Sequence, residues 1–542
     1  MRYDVFDSLD WLFTDSKPRT KPTEVASLLA PRGGRPGFQV LLEGVPEGTK
    51  VSFGSRGLAD DEGHRIESVF GNLLHSVPVE CNTGEDGFTA RNRPPAEGVS
   101  RKAPFRCFDA IEPITLRTRT WENEPAAFYV EVAVPRSARP GVYSGEIEIA
   151  AGKETVTVPV KLEVAAACLP AKSALSLTTW FSTDSMATYH GLKLWSSGHW
   201  RMIRRYAELM VSYHHDTFRA PLNLVDYKKG ADGHWTFNFR RLERLMRTMI
   251  DAGMTRIEGG HLGGCERWGM PEIYLYASPE LWERKVRLAS PEAQEFLAQF
   301  LPAWRVFLER HGWYEMLCQH VADEPTKGAL CDYTAAACAV RKYLPGTPII
   351  DAVEFAHLGA AVDWWVPKID DYERDREIYE MHRSHGDRIW CYTCCKPGGR
   401  FMNRLLDFPL LRVRLLAWGC AKYDLAGYLH WALNSWDRDK SPFEQSVKRE
   451  ATLEPDGTRN DLPAGDKCIV YPGPDGPWSS MRFEAQREGW EDHALLMMAR
   501  KRLGPEQFDK LVSKTVRGFS DFTDDPTTFR RQYRTLLKLV SE

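Results

Sequence analysis

From Leu175 to Trp436 the chain changes its hydrophobic period again and again, and this alternation limits the fold more than any other feature. Short apolar runs carry a strand signature, and longer runs that repeat every three to four residues carry a helix signature. "TTWFS" reads as a strand and "GHWRMIRRYAELMVSYHH" as a helix ending at His214 and His215; "DTFRAPLNL" is apolar again. "FNFRRLERLMRTMIDAG" places Phe239, Leu242, Leu245, Met246, Met249 and Ile250 on one helical face, with Gly253 as the stop. "TRIEGGHLGG" is a third strand and loop. The following helix takes Ser290 as N-cap and Pro291 at its first position, should kink at Pro302, and ends at Gly312. A fourth strand leads into "HVADEP"; "TPIIDAVE", "AVDWWVPK", "DRIWCYTC" and "AGYLHWALNSW" continue the series, with helical stretches between most of them. Eight strand candidates interleaved with helices predict a (β/α)8 TIM-type barrel over residues 171–440. An open doubly wound sheet is the alternative, but no glycine-rich nucleotide fingerprint follows any strand.

Residues 1–170 differ. "VYSGEIEIA" and "KETVTVPVKLEVA" alternate with period two, the second placing Val156, Val158, Val160, Leu162 and Val164 on one face. Short strands with turns at this spacing predict an antiparallel β-sandwich. Residues 441–542 read as a C-terminal extension packed on the barrel and ending in helices. Within it Arg482, Arg487, Glu488 and Glu491 are spaced as on a helix surface, where they would fasten the segment by ion pairs.

Composition narrows the function. The net charge of −3 among 542 residues gives no reason to expect nucleic acid or an anionic membrane as partner. No run approaches the roughly 18 apolar residues that a membrane span needs. The first residues, "MRYDVFDSLDWLF", lack a secretory pattern, and twelve scattered cysteines suggest reduced thiols, so a cytoplasmic location is expected. "CYTCC" (Cys391, Cys394, Cys395) contains a CxxC, yet no second ligand pair follows, so neither metal nor other cofactor is expected. Eighteen tryptophans are more than a core of this size needs, and aromatic faces stack on sugar rings.

Asp323 and Glu324 stand side by side where the fourth strand ends, on the barrel face that carries chemistry. Neighbours on a regular strand face opposite ways, so both enter one cleft only where the strand breaks, before Pro325. Two carboxyls in a partly dry cleft resist double ionisation, and a proton donor beside an anion suits glycosidic bond cleavage. The competing reading is a solvated turn with Thr326 as N-cap of the next helix.

"HVADEP", "GYLHWALNSW" and "YPGPDGPWSSMRFEAQREGWEDHALL" together resemble glycoside hydrolase family 123, the last two looking like the domain of unknown function 4091 that ends such proteins. "RPGVYSGEIEIAAG" is similar to the sandwich that precedes their barrels. The resemblance implies a β-N-acetylgalactosaminidase that retains configuration by substrate-assisted catalysis, with Glu324 as acid/base and Asp323 orienting the acetamido group. It implies an oligosaccharide or glycoconjugate as the partner. Another sugar such as β-N-acetylglucosamine, or a non-catalytic carbohydrate-binding role, remains as an alternative.

Strand ends supply further candidates for sugar contact: Glu258 and His261 after the third strand, Trp365 on the sixth, Tyr392 on the seventh, Asn403 in the next loop, and Trp431, Asn434 and Trp436 after the eighth. Glu258 and His261 could equally form a buried structural pair.

Overall fold

The computed structural model describes residues 1–91, 93–121, 125–453 and 457–542, apart from the side chain of residue 360. Two sheets form the N-terminal sandwich. One runs in the order Tyr3–Asp7, Gly37–Leu42, Ala126–Val132, Val69–Val79, Phe105–Pro113, Pro477–Ser480, Tyr471–Pro472. The other runs Ala26–Arg32, Glu154–Cys168, Gly141–Ala151, Val51–Ala59, Arg65–Ile66. The period-two face of Glu154–Cys168 meets Val40, Phe128 and Val130 of the facing sheet in a dry core. The first sheet is covered on both faces: Leu41, Leu74, Ile111 and Tyr129 join the core of the catalytic region instead.

Two expectations need correction here. The sandwich is not wholly antiparallel, because Ala26–Arg32 lies parallel to Glu154–Cys168, with Ala26 opposite Val160. The chain has crossed from the other sheet after Asp7, so it arrives running the same way. Nor is the C-terminal segment merely packed on a barrel: Pro477–Ser480 pairs antiparallel with Phe105–Pro113 and extends the sandwich sheet.

The strand and helix series is present. Ser176–Thr179, Thr217–Ala220, Arg256–Gly259, Leu317–Gln319, Ile350–Val353, Trp364–Pro367, Arg388–Ile389 with Cys391–Tyr392, and Gly427–His430 occupy the eight expected positions. Intervening helices include Ser197–Ser212, Arg240–Ala252, Pro291–Arg310, Leu330–Tyr343, Arg376–Ser384 and Leu410–Lys422. Ser290 caps as expected, accepting the Ala293 N–H, and Gly253 ends its helix at φ +121°. The strands are parallel, but their ladders do not close into one barrel. Six strands form one sheet and three form another. Isolated bridges, Gln319 to Ile349 and Lys368 to Tyr392, are what join them. One of the two interruptions has a local cause: the seventh strand breaks at Trp390, one half pairing with the sixth strand and the other with the eighth.

All twelve cysteines are free thiols. Among the described residues, no helix is long and apolar enough to cross a membrane.

Candidate active site

The fourth strand ends at Gln319, and four residues later the chain reaches Asp323. The segment between is tied down on both sides: Leu262 and Gly263 N–H donate to the Val321 carbonyl, and Val321 N–H donates to Asp351. Glu324 then takes φ +43°, the left-handed region that a non-glycine residue seldom adopts. This turn breaks strand alternation, so the carboxyls of consecutive residues line the same cavity. Glu324 N–H donates to the Ala352 carbonyl of the fifth strand, which holds the strained residue in place. Thr326 does hold the N-cap position of the short 3-10 turn Lys327–Ala329, but its hydroxyl makes no cap bond and donates to the Met270 carbonyl, and the two carboxyls line the cavity rather than a free turn.

The cavity encloses about 240 Å³. Its walls are Phe88, Trp180, Trp268, Tyr392 and Trp431, and its charged groups include Asp323, Glu324, Glu354, Lys368, Lys396 and Asp466. Glu324 accepts from two donors, Tyr392 O–H on Oε1 and Trp268 Nε1–H on Oε2 at 2.5 Å. Asp323 accepts no hydrogen bond from the described residues. Its side chain is exposed to solvent within the cavity, yet dense protein packs around it. That burial, followed by the Glu324 carboxylate, pushes the Asp323 carboxyl up to about 7. Glu354, at the end of the fifth strand, is raised by burial and then by Glu324, against the opposing pull of Lys368. Lys368 bridges it to Asp371 at 2.5 and 2.7 Å.

Beneath this lies a buried chain of ionised groups. His320 Nδ1 meets Asp351 at 2.5 Å and its Nε2 meets Glu258. Burial alone would lower the imidazole; Glu258 and then Asp351 outweigh that and hold it at about 10. Glu258 also accepts from Thr178 O–H at 2.6 Å and from Trp180 Nε1–H at 2.9 Å. Ends of the first, third, fourth and fifth strands are thus stapled together, and the Trp180 indole is aimed at the cavity. His261, His320 and Asp351 are close enough to offer a cation three ligand atoms. Both His320 nitrogens are already committed to carboxylates, so this donor set does not fit a metal.

Of the residues singled out from sequence, Asp323, Glu324, Tyr392 and Trp431 meet at the cavity. Trp431 Nε1–H donates to Asp466, whose carboxyl burial raises to about 6. Glu258 lies under the wall, and His261 packs edge-on to Trp180 at 5.2 Å. Asn403 supports the site from behind, donating to the Cys394 and Pro397 carbonyls. Three others point elsewhere. Trp365 stacks on His382 at 4.3 Å on the helix side of its strand, because alternation turns Trp364 inward instead. Asn434 is locked to the backbone of Ser182, and Trp436 packs on Tyr189 and Tyr206.

Glu354 and Lys368 escaped sequence reasoning although each directly follows its strand, the position that marks barrel-face residues. Phe88 arrives from the N-terminal region with no sequence signal. Its neighbour Gly87 (φ +85°) lies so near the Cys394–Pro397 turn that a Cβ there would come within 2.4 Å of the Cys395 carbonyl oxygen. A larger cleft, about 840 Å³, lies against helix Pro526–Ser541, but its charges are largely paired, Arg530 with Asp7 and Arg534 with Glu163.

A model of the glycoside hydrolase 123 catalytic domain matches residues 180–499, more than half of the chain and all of the strand ends just described after the first. The chain belongs to glycoside hydrolase family 123. It is therefore a glycosidase. A solved family 123 glycoside hydrolase from Clostridium perfringens, concerned with glycolipid glycan hydrolysis, superposes with a TM-score of 0.74 at 14% identity, covering 100% of this chain and 97% of that one. A GH10 xylanase with a bacterial Ig-like domain, from termite gut, covers 86% of this chain and 99% of its own at 12% identity, with a TM-score of 0.35. No curated protein matches the sequence. Family 123 membership and the first superposition agree with the family that the quoted motifs resemble.

Proposed function

We propose that this family 123 enzyme removes terminal β-linked N-acetylgalactosamine with retention of configuration, the substrate's own acetamido oxygen acting as nucleophile. The observation that carries the proposal is the left-handed turn at Glu324, which aims two consecutive carboxyls into one aromatic-walled cavity. Two consecutive acids do not flank a sugar ring as a separate acid and enzyme nucleophile do, whereas an internal nucleophile needs no second flanking carboxylate. Asp323 has no donor among the described residues, and an acetamido N–H would supply one. That bond stabilises the Asp323 carboxylate, while Glu324, as the general acid, delivers a proton to the leaving oxygen. As the oxazolinium-type intermediate opens, Glu324 takes a proton from water. We also read the two parallel sheets as one (β/α)8 ring, a reading supported by the single bridges at both seams. Because the Clostridium perfringens relative acts on glycolipid glycans, glycolipid headgroups are the first natural substrates to try.

The test is an aryl 2-acetamido-2-deoxy-β-galactoside with the first product's anomer followed by NMR. Glu324→Gln and Asp323→Asn should each lower kcat by about 100-fold or more with the fold intact. An N-acetylgalactosamine thiazoline should inhibit. An inverted first product, or near-native turnover in both variants, sinks the proposal.

A further inference from the structure

Glu324 has donors on both oxygens, and the two donors differ in kind. Tyr392 belongs to the seventh strand and is buried. Trp268 sits in the rim loop that follows the third strand, is 37% exposed, and has the Lys396 ammonium 4.9 Å from its ring. Its Nε1 lies 2.5 Å from Glu324 Oε2. A general acid must lie about 2.6–3.2 Å from the oxygen it protonates, so the indole occupies the place that a glycosidic oxygen would take. Indole N–H is a donor with no acceptor capacity. While it stays, it takes one of the two lone-pair sites of Oε2 and stands in the path to that oxygen.

We propose that Trp268 is a positioning residue: its indole N–H and the Tyr392 hydroxyl hold the Glu324 carboxyl group between them, and Trp268 yields Oε2 to the leaving-group oxygen when substrate enters. The step rests on Glu324 being the acid, as argued above. Tyr392 keeps its bond throughout, because a strand residue walled on all sides has nowhere to go. Trp268 is free to swing onto the aglycone, where its face offers a stacking surface for the next sugar. The charged or titratable groups facing Glu324 are Asp323, Glu354, Lys368, Tyr392 and Cys394; Lys396 and Asp466 line the same cavity. None of them shares the rim loop with Trp268.

Trp268→Phe keeps an aromatic face and removes the N–H. The limbs of the pH profile belong to the Asp323–Glu324 pair. The alkaline limb of kcat/KM reports the free enzyme and that of kcat reports the complex. Losing a donor to a carboxylate moves a limb upward by about one pH unit. The expected result is an upward shift in kcat/KM alone, because in the complex Trp268 has already left. Tyr392→Phe should shift both limbs. A kcat/KM limb that does not move in Trp268→Phe overturns the proposal, as does an equal shift in both limbs, which means that the indole never leaves. A merely structural tryptophan would lower rates without moving either limb. Failure of the underlying assignment is separable: if Glu324 is not the acid, Glu324→Gln loses as much activity on an activated dinitrophenyl glycoside as on a poor leaving group.

Discussion

A carboxyl that keeps its proton to about pH 7 weakens the fold as the solution becomes alkaline. The sign follows from linkage. Unfolded Asp323 would lose its proton near 3.8 and the folded form near 7, so between those values the native state binds more protons and stability falls as pH rises. Below 3.8 the penalty is absent, and above 7 it is complete. Asp323→Asn should therefore stabilise the protein at pH 8 by about 1 kcal/mol, a figure reduced because the side chain touches screening water. Urea midpoints read at pH 8 and pH 4.5 check this: the gain should shrink to a few tenths at the lower pH. An equal gain at both means that ionisation is not its source. Glu324 is strained in the same sense, an acidic side chain at positive φ kept where chemistry needs it.

At the scale of elements, the ends of four strands depend on one imidazolium. His320 has a carboxylate on each nitrogen and no solvent contact. His320→Gln would leave Glu258 and Asp351 buried and facing each other without a cation, which costs about 3–5 kcal/mol. The charge on His320 also predicts a slope. Folded His320 holds its proton to about 10 and unfolded histidine to about 6.5, so the stabilisation is whole below 6.5 and fades as pH climbs towards 10. Thermal unfolding of wild type and His320→Gln at pH 6 and pH 10 should show the gap narrow, and a constant gap would count against a charged imidazole. This staple also explains what sequence could and could not tell. Strand and helix positions were legible because burial imposes a period on each element, and Asp323 and Glu324 were legible because a strand end followed by Pro325 marks a loop. Glu258 was not, because a carboxylate under the wall and one on the wall look alike in one dimension. Trp365 was mistaken for its neighbour Trp364, since a pair of identical residues hides which one alternation turns inward. Trp268 gave no sign, because a loop has no period.

The molecule as a whole is bound together by the 23-residue helix Met481–Leu503. Its charges were expected on a surface, but they are buried. Arg482 meets Asp109 of the sandwich strand Phe105–Pro113 and donates to the Arg404, Gly465 and Cys468 carbonyls. Arg487 joins Glu484, Glu491 and the Arg35 carbonyl, and Arg414 of helix Leu410–Lys422 meets Glu488 and Asp492. Sandwich and parallel strands therefore share one ionic spine. Removing one partner leaves a buried charge alone. Arg482→Met should cost about 3–5 kcal/mol, and adding Asp109→Leu should recover most of it, because the loss lies in the stranded carboxylate rather than in the missing bond. Calorimetry should show both variants unfolding in a single transition that also carries the loss of glycosidase activity. A separate, earlier transition for the sandwich would mean that the spine does not couple the two regions, and a further loss in the double variant would mean that the pair itself stabilises the fold.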